Sequence, residues 1–325
     1  MTMPEDASLS LLTPVPEEKL QMWLKEFYGK KVEIEERELL RHRDLSYVER
    51  LKIRDALPPS LIYKQVLPPW DIEQDLHERI LIPSITNSAQ LYMSAHYGEV
   101  TAMFLEDLGN VQVKDIATKE IALRLGEDLA KMHRSYCYRT DELVQMGVLS
   151  TLLPIDYVEF SVKLTRKLSG WKLASRSQAK SLKTLAATIA PKLAGEPFSL
   201  VHGDLYAENI IKRGQRLFII DWSWFTMLGV PLMDLATVTM NHHKNGALAR
   251  YGEDIIDAYC YEAGRDAVDV RRVLPHAETL SRLLFLNWLV ERRSRGIMGT
   301  TVGPVDKLIG SIVDELIERL AAIPA

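Results

Sequence analysis

At 325 residues the chain has room for two lobes or domains and a substantial core, and its 47% hydrophobic and 26% charged residues are those of an ordinary globular protein. A net charge of -4 argues against nucleic acid as the main partner, which would require a basic face. Leu283 to Val290, the longest apolar stretch near the C-terminus, is broken by Asn287 and too short to cross a bilayer, so no membrane partner is expected.

Met1 to Pro14 contains acids and no basic segment leading into an apolar one, so no signal peptide is expected. Cys137 and Cys260 are far apart and in no metal-binding spacing, which makes a reduced, cytoplasmic setting the default. Pro16 to Tyr28 reads as an amphipathic helix, with Leu20, Trp23, Leu24 and Phe27 at helical spacing and Gly29 as its stop. Tyr47 to Ile53 alternates as a strand, with Tyr47, Glu49, Leu51 and Ile53 on one face. Leu61 to Val66, set off by Pro58-Pro59 and Pro68-Pro69, is a second strand. A helix is predicted from about Asp71 to Ile82, closed by Pro83, followed by strands Gln90 to His96 and Glu99 to Leu105 around a turn at Gly98. Together these make a small α+β N-lobe, residues 1–106.

From Asp107 the texture turns helical, giving a larger C-lobe, residues 107–325. Ala117 to Arg134 carries Ile121, Leu125, Leu129 and Met132 on one face, and helices fill much of 141 to 193. A hairpin interrupts them at 199 to 221, and helices resume near 231 to 241, 247 to 263, 267 to 293 and 305 to 322. Gly296, Gly299, Gly303 and Pro304 mark the loop before the last.

The chemistry concentrates in that interruption. His202-Gly203-Asp204-Leu205-Tyr206-Ala207-Glu208-Asn209 is followed, twelve positions after Asn209, by Asp221 at the end of an apolar strand. Asp204 and Asn209, five apart, have the D-x-x-x-x-N spacing of a kinase catalytic loop. Phosphoryl transfer from Mg-ATP needs a carboxylate beside the accepting hydroxyl and hard oxygen ligands for magnesium. Asp204 is the candidate catalytic residue, and Asn209 and Asp221 are the candidate metal ligands. Lys64 shares a strand face with Ile62 and Val66, and an ammonium on an apolar face needs an anionic partner. The helix that follows offers Glu73, Asp75 and Glu78.

The segment resembles the aminoglycoside phosphotransferase and choline kinase family, small-molecule kinases with a two-lobed, protein-kinase-like α+β fold. The carriers are H-G-D-x-x-x-x-N at His202 to Asn209, the I-D-[FW] strand end at Ile220-Asp221-Trp222, and G-x-P-x-x-D-L-A at Gly229 to Ala236. The resemblance implies ATP, or GTP, with Mg²⁺ as cofactors. It implies that Lys64 holds the α- and β-phosphates and pairs with a helix glutamate, taken here as Glu78 from its offset to Ile82 and Ile85. Phe104 to Gly109 resembles the hinge, whose backbone recognises adenine through the carbonyl of Glu106 and the amide of Leu108. Asp234 would brace the catalytic loop, and His202 and His133 read as packed, structural histidines.

Departures from the family pattern sharpen the expectation. No glycine occurs between Gly29 and Gly98, although protein kinases cover the phosphates with a glycine-rich loop. The equivalent turn falls near Arg41 to Ser46, where Arg41, His42 or Arg43 is read as exposed surface charge, with phosphate contact as the alternative. Tyr206 stands where many protein kinases have lysine, and Trp222-Ser223 replaces Phe-Gly, which favours a small-molecule acceptor and no glycine-pivoted flip. The expected function is phosphorylation of a hydroxyl on a small molecule, whether an aminoglycoside, another antibiotic, a choline-like amine or a sugar. The alternative is a kinase-fold binding or structural protein with little turnover.

Overall fold

The computed structural model describes residues 12–43, 45–296 and 302–322. They divide into two compact units: one drawn from residues up to Asn110 together with Ile211–Trp224, the other from Val111–Ile210 together with the residues from Phe225 onward.

The first unit is built on an antiparallel sheet of strands β1 (Ile34–Arg43), β2 (Ser46–Ile53), β3 (Ser60–Val66), β4 (Leu91–Tyr97) and β5 (Val100–Glu106), in the order β1-β2-β3-β5-β4 among the described residues. Period two divides each strand between the faces. Leu51, Ile53, Leu61, Tyr63 and Phe104 pack with Leu20, Trp23 and Leu24 of the helix Glu17–Tyr28. Ile62, Val66, Met103 and Leu105 form a second cluster on the opposite face. The central strands β3 and β5 are therefore apolar on both faces, and each side chain fully buried there contributes about 1.5–3 kcal/mol.

Strand β1 has no counterpart in the sequence reading because Ile34–Arg43 is a charged edge strand with mostly exposed side chains. Its partners on β2 explain why it forms. Glu36 faces Lys52 and Glu38 faces Arg50, with ion pairs at 2.6 and 2.5 Å, and Arg37 reaches Glu49 at 2.5 Å. Charge along an edge also opposes pairing with another chain. The β1–β2 turn foreseen at Arg41 to Ser46 is present, except that Asp44 lies outside the described residues.

The helix expected over 71–82 is shorter and irregular. It runs Ile72–Asp75, passes into a π-helical turn at Leu76–Ile80, and a separate short helix, Pro83–Thr86, begins at the proline.

The second unit is mainly helical, with helices Lys119–Cys137, Asp156–Gly170, Arg176–Leu193, Leu232–Thr239, Gly252–Ala263, Ala267–Arg295 and Val302–Ala322. Glycine at 126 lets Lys119–Cys137 approach Gly252–Ala263 closely, since a Cβ there would strike the Ile255 carbonyl and Ala258. The helix expected over 247–263 begins only at Gly252, because His243–Tyr251 is a 3-10 segment interrupted at Gly246. The last helix starts at Val302, earlier than expected, since proline is tolerated in a first turn. Ser199–Val201 and Met227–Gly229 pair antiparallel and bracket the segment that holds His202 to Asn209.

Candidate active site

In the first unit, strand register assembles a row of side chains. Arg41 of β1 faces Val48 of β2, Val48 faces Lys64 of β3, and Lys64 faces Met103 of β5. Directly opposed residues share a sheet face, so Arg41 and Lys64 project from the same side, two strands apart.

The Lys64 ammonium is buried between two carboxylates. Its Nζ lies 2.9 Å from Oε1 and 2.6 Å from Oε2 of Glu73, and 2.6 Å from Oδ1 of Asp221. The Lys64 and Glu73 side chains are 8% and 2% exposed, so neither charge would be tolerable alone. Burial opposes charging of Lys64, but Asp221 and Glu73 outweigh it and its pKa is raised. Burial pushes the Glu73 carboxyl up to about 7, against the pull of Lys64 and with added repulsion from Asp221.

The glutamate beside Lys64 is thus Glu73, which corrects the expectation of Glu78. The two positions are five apart, and at 3.6 residues per turn they face different sides of a helix. Glu73 turns inward, whereas Glu78 is exposed and accepts hydrogen bonds from Ser94 Oγ at 2.6 Å and Gln74 Nε2 at 2.9 Å.

Asp221 follows the hairpin strands Ile210–Arg213 and Arg216–Ile219. The hairpin end is pinned by Ile219 N donating to the Asn87 carbonyl at 2.8 Å, and the buried Trp222 Nε1 donates back to Ile219 O at 3.1 Å. Asp221 has a φ of 63°, a conformation that non-glycine residues adopt at some cost and that clusters at functional positions. Its Oδ2 accepts from Arg41 Nη1 at 3.2 Å. Arg41 is exposed, as the sequence reading has it, and its guanidinium pairs with Asp221 from there. His42 points elsewhere, with Nε2 3.2 Å from Leu12 O.

Glu106 ends β5 with its carboxylate on Arg213 Nη1 at 2.5 Å, and the Leu108 side chain is buried with Ala89, Ile211 and Phe218. Their side chains are thereby committed to packing and pairing.

In the second unit, the loop from His202 to Asn209 is held by its backbone. Asp234, wholly buried, accepts from His202 N at 2.8 Å and Gly203 N at 2.9 Å, and lies 3.3 Å from His133 Nε2. His133 Nδ1 is 3.1 Å from the Tyr259 hydroxyl. The buried His202 ring accepts at Nδ1 from Asp204 N at 3.2 Å, so it braces the turn. Gly203 has a φ of 80°, and a Cβ there would run into the Phe225 carbonyl, so both backbone and space demand glycine. Asn209 Nδ2 donates to Asp204 O at 2.9 Å, tying together the two ends of the D-x-x-x-x-N span and directing its amide oxygen away from that bond.

Asn245 has no sequence signal. Fully buried, it accepts from Ala207 N at 3.0 Å and donates to Thr237 O and Met240 O at 2.9 Å each, fixing the middle of the loop. Nothing in a lone asparagine after two histidines marks it.

Among the described residues no three or more His, Cys, Asp or Glu side chains gather as a metal cage. Asn209 and Asp221 offer hard oxygens, the donor type that Mg²⁺ takes in small number alongside phosphate and water. Each side chain, taken by itself, is of a donor type that suits that ion. No helix among the described residues is long and apolar enough to cross a membrane.

A family model described as the phosphotransferase enzyme family matches residues 97–271. No curated relative matches the chain. Similar solved structures include the ternary complex of streptomycin, ATP and APH(2")-IIa, at 16% identity and a TM-score of 0.63, covering 95% of this chain and 99% of that one. Spectinomycin phosphotransferase APH(9)-Ia, solved with ADP and spectinomycin, is 14% identical with a TM-score of 0.60, covering 96% and 100%. An ethanolamine kinase of Plasmodium vivax is 14% identical with a TM-score of 0.60, covering 94% and 88%. At these identities the structures speak for fold, and the α+β, protein-kinase-like fold expected from the sequence is that of this chain. The matched span takes in the His202–Asn209 loop, Asp221 and Asp234 and exceeds half of the chain, so the protein belongs to the phosphotransferase enzyme family.

Proposed function

We propose that the protein is a Mg²⁺-dependent kinase that transfers the γ-phosphoryl group of ATP to a hydroxyl of a small molecule. The observation that carries this reading is the buried Lys64 ammonium held by Glu73 and Asp221. A lysine buried for structure needs one anion. Two carboxylates from separate segments orient the ammonium and keep it charged, the state in which it binds phosphate.

Lys64 holds the α- and β-phosphates, with Glu73 keeping it in position. The Glu106 carbonyl and Leu108 amide contact the base, with ATP as donor and GTP tested beside it. Asn209 and Asp221 hold Mg²⁺, which when bound offsets charge on the phosphate oxygens. Asp204 orients the acceptor hydroxyl and takes its proton late, since a loose transition state needs little early deprotonation. A cytoplasmic setting, where Cys137 and Cys260 stay reduced, completes the proposal.

The acceptor we favour is a neutral alcohol such as a sugar, over a polycationic aminoglycoside or a choline-like amine. In the unit that carries Asp204, the Tyr206 ring already has Lys244 Nζ at 4.8 Å from its centroid, and the Arg282 and Arg319 guanidinium groups already hold Glu315 and Glu278. These aromatic and acidic groups, of the kind that receive a cationic substrate, are engaged by the chain's own cations.

One observation favours the second reading, a binding protein with little turnover: both Asp221 oxygens are engaged, by Lys64 and Arg41. The test is a thermal-shift assay for Mg-ATP and Mg-GTP, followed by nucleotide consumption against hydroxylated metabolites and antibiotics. Acceptor-dependent consumption supports the kinase. Binding without transfer across a broad panel supports the second reading, and no binding refutes both.

A further inference from the structure

Lys64 and Asp221 belong to the motif set, but Arg41 does not. The β1–β2 hairpin stands where protein kinases use glycine backbone to hold phosphates, and no glycine occurs from residue 30 to residue 97. Backbone amides need close approach to bind a triphosphate, and side chains with a Cβ obstruct it. Some other donor must do this work.

The sheet provides one. Cross-strand register puts Arg41 on the face of Lys64, with Val48 between them. The neighbouring His42 is directed away, toward Leu12 O and edge-on to Tyr47. The Arg41 guanidinium extends to Asp221 Oδ2 at 3.2 Å, beside the oxygen that Lys64 contacts. Arg41, Lys64, Glu73 and Asp221 are therefore linked in one run of contacts without nucleotide. A divalent ion entering at Asp221 would compete with a guanidinium on the same carboxylate. It would also bring phosphate oxygens, which the planar Arg fork binds bidentately.

We propose that Arg41 is a phosphate-binding residue that replaces the glycine-rich loop, leaving the Asp221 carboxylate for the nucleotide's phosphates when Mg-ATP binds. The inference rests on the ATP-dependent reading above and adds to it a residue outside the family motifs. Arg41 is a positioning residue for the nucleotide and takes no part in proton movement.

The test is calorimetric titration of the wild type, Arg41→Ala and Arg41→Lys with Mg-ATP and with adenosine, which has no phosphate. Thermal unfolding without nucleotide serves as the check on folding, since Lys64 still partners Asp221 in both variants. The expected result is a loss of about 10–100-fold in Mg-ATP affinity for Arg41→Ala, partial recovery in Arg41→Lys, and unchanged adenosine affinity. Mg-ATP affinity that is unchanged or tighter in Arg41→Ala would overturn the inference, the second outcome meaning that Arg41 only competes with the metal. Equal losses for Mg-ATP and adenosine would also overturn it, by reducing Arg41 to a structural role. If the wild type itself does not bind Mg-ATP, the kinase reading fails first and this inference with it.

Discussion

Lys64 Nζ and Asp221 Oδ1, from residues 157 positions apart, meet at 2.6 Å. A strand in the N-terminal sheet and the end of a late hairpin are joined by this contact, and both belong to the same compact unit. The pair converts a motif acid and an isolated strand lysine into one charged group, from which most of the following expectations derive.

Asp221→Ala removes a proposed metal ligand and one of the two anions on Lys64. Mg-ATP affinity should fall by about 10–100-fold, the scale of a lost charge-assisted contact. Titration with ATP in EDTA should show a smaller change, because the metal is then absent from both proteins. Equal losses with and without Mg²⁺ would remove Asp221 from the metal site.

Glu73 and Glu78 offer a direct contrast. Glu73→Gln should lower Mg-ATP affinity by about 10-fold or more, while Glu78→Gln should stay within about 2-fold, since exposed pairs contribute little. Parallel titrations of the two variants check this. The reverse order would restore the glutamate chosen from sequence.

Asp204→Asn should leave Mg-ATP binding intact and reduce turnover by about 10²–10⁴ once an acceptor is known, the usual range for a positioned acid-base group. Steady-state kinetics and nucleotide titration on one preparation separate the two effects. Wild-type turnover in the variant would exclude Asp204 from the chemistry.

The pH dependence of stability should carry the mark of Glu73. Its carboxyl is raised from 4.5 to about 7 in the folded, nucleotide-free protein, chiefly by burial. Between those values the folded state holds a proton that the unfolded chain has released. Its contribution to stability is complete below the lower value and lost as pH rises toward the upper one. The stability of the wild type relative to Glu73→Gln should therefore fall by about 3 kcal/mol as pH rises across that window, measured by urea unfolding. A pH-independent difference would show that Glu73 is ionised throughout.

Asp234→Ala should destabilise the fold by roughly 2–4 kcal/mol, because it leaves two buried backbone N–H groups without their acceptor. Hydrogen exchange should report it locally, with faster exchange at His202 and Gly203. Unchanged protection there would mean that the brace is dispensable.

Several features were legible in the sequence because they are local. The helix Glu17–Tyr28 and strands β2, β3 and β5 follow from apolar residues recurring at helical or alternating spacing. Asp234 was readable as a brace from its motif, and its bonds to His202 N and Gly203 N bear this out. Strand β1 was not legible, because its stability comes from charge pairs with β2 rather than from an apolar alternation of its own. Nor was Asn245, whose role depends on which backbone amide folding brings to it.

By itself the sequence determined the covalent spacing of Asp204, Asn209 and Asp221, the division into sheet-rich and helical parts, and the glycine at 203 that the turn there requires. Tertiary structure alone decided that Glu73 rather than Glu78 accompanies Lys64, and that Arg41 joins Asp221. Helical and strand periods say which residues share a face of one element. Which faces meet depends on strand register, on where a helix tightens or widens, and on which buried charges find partners, and those are settled only when distant segments pack together.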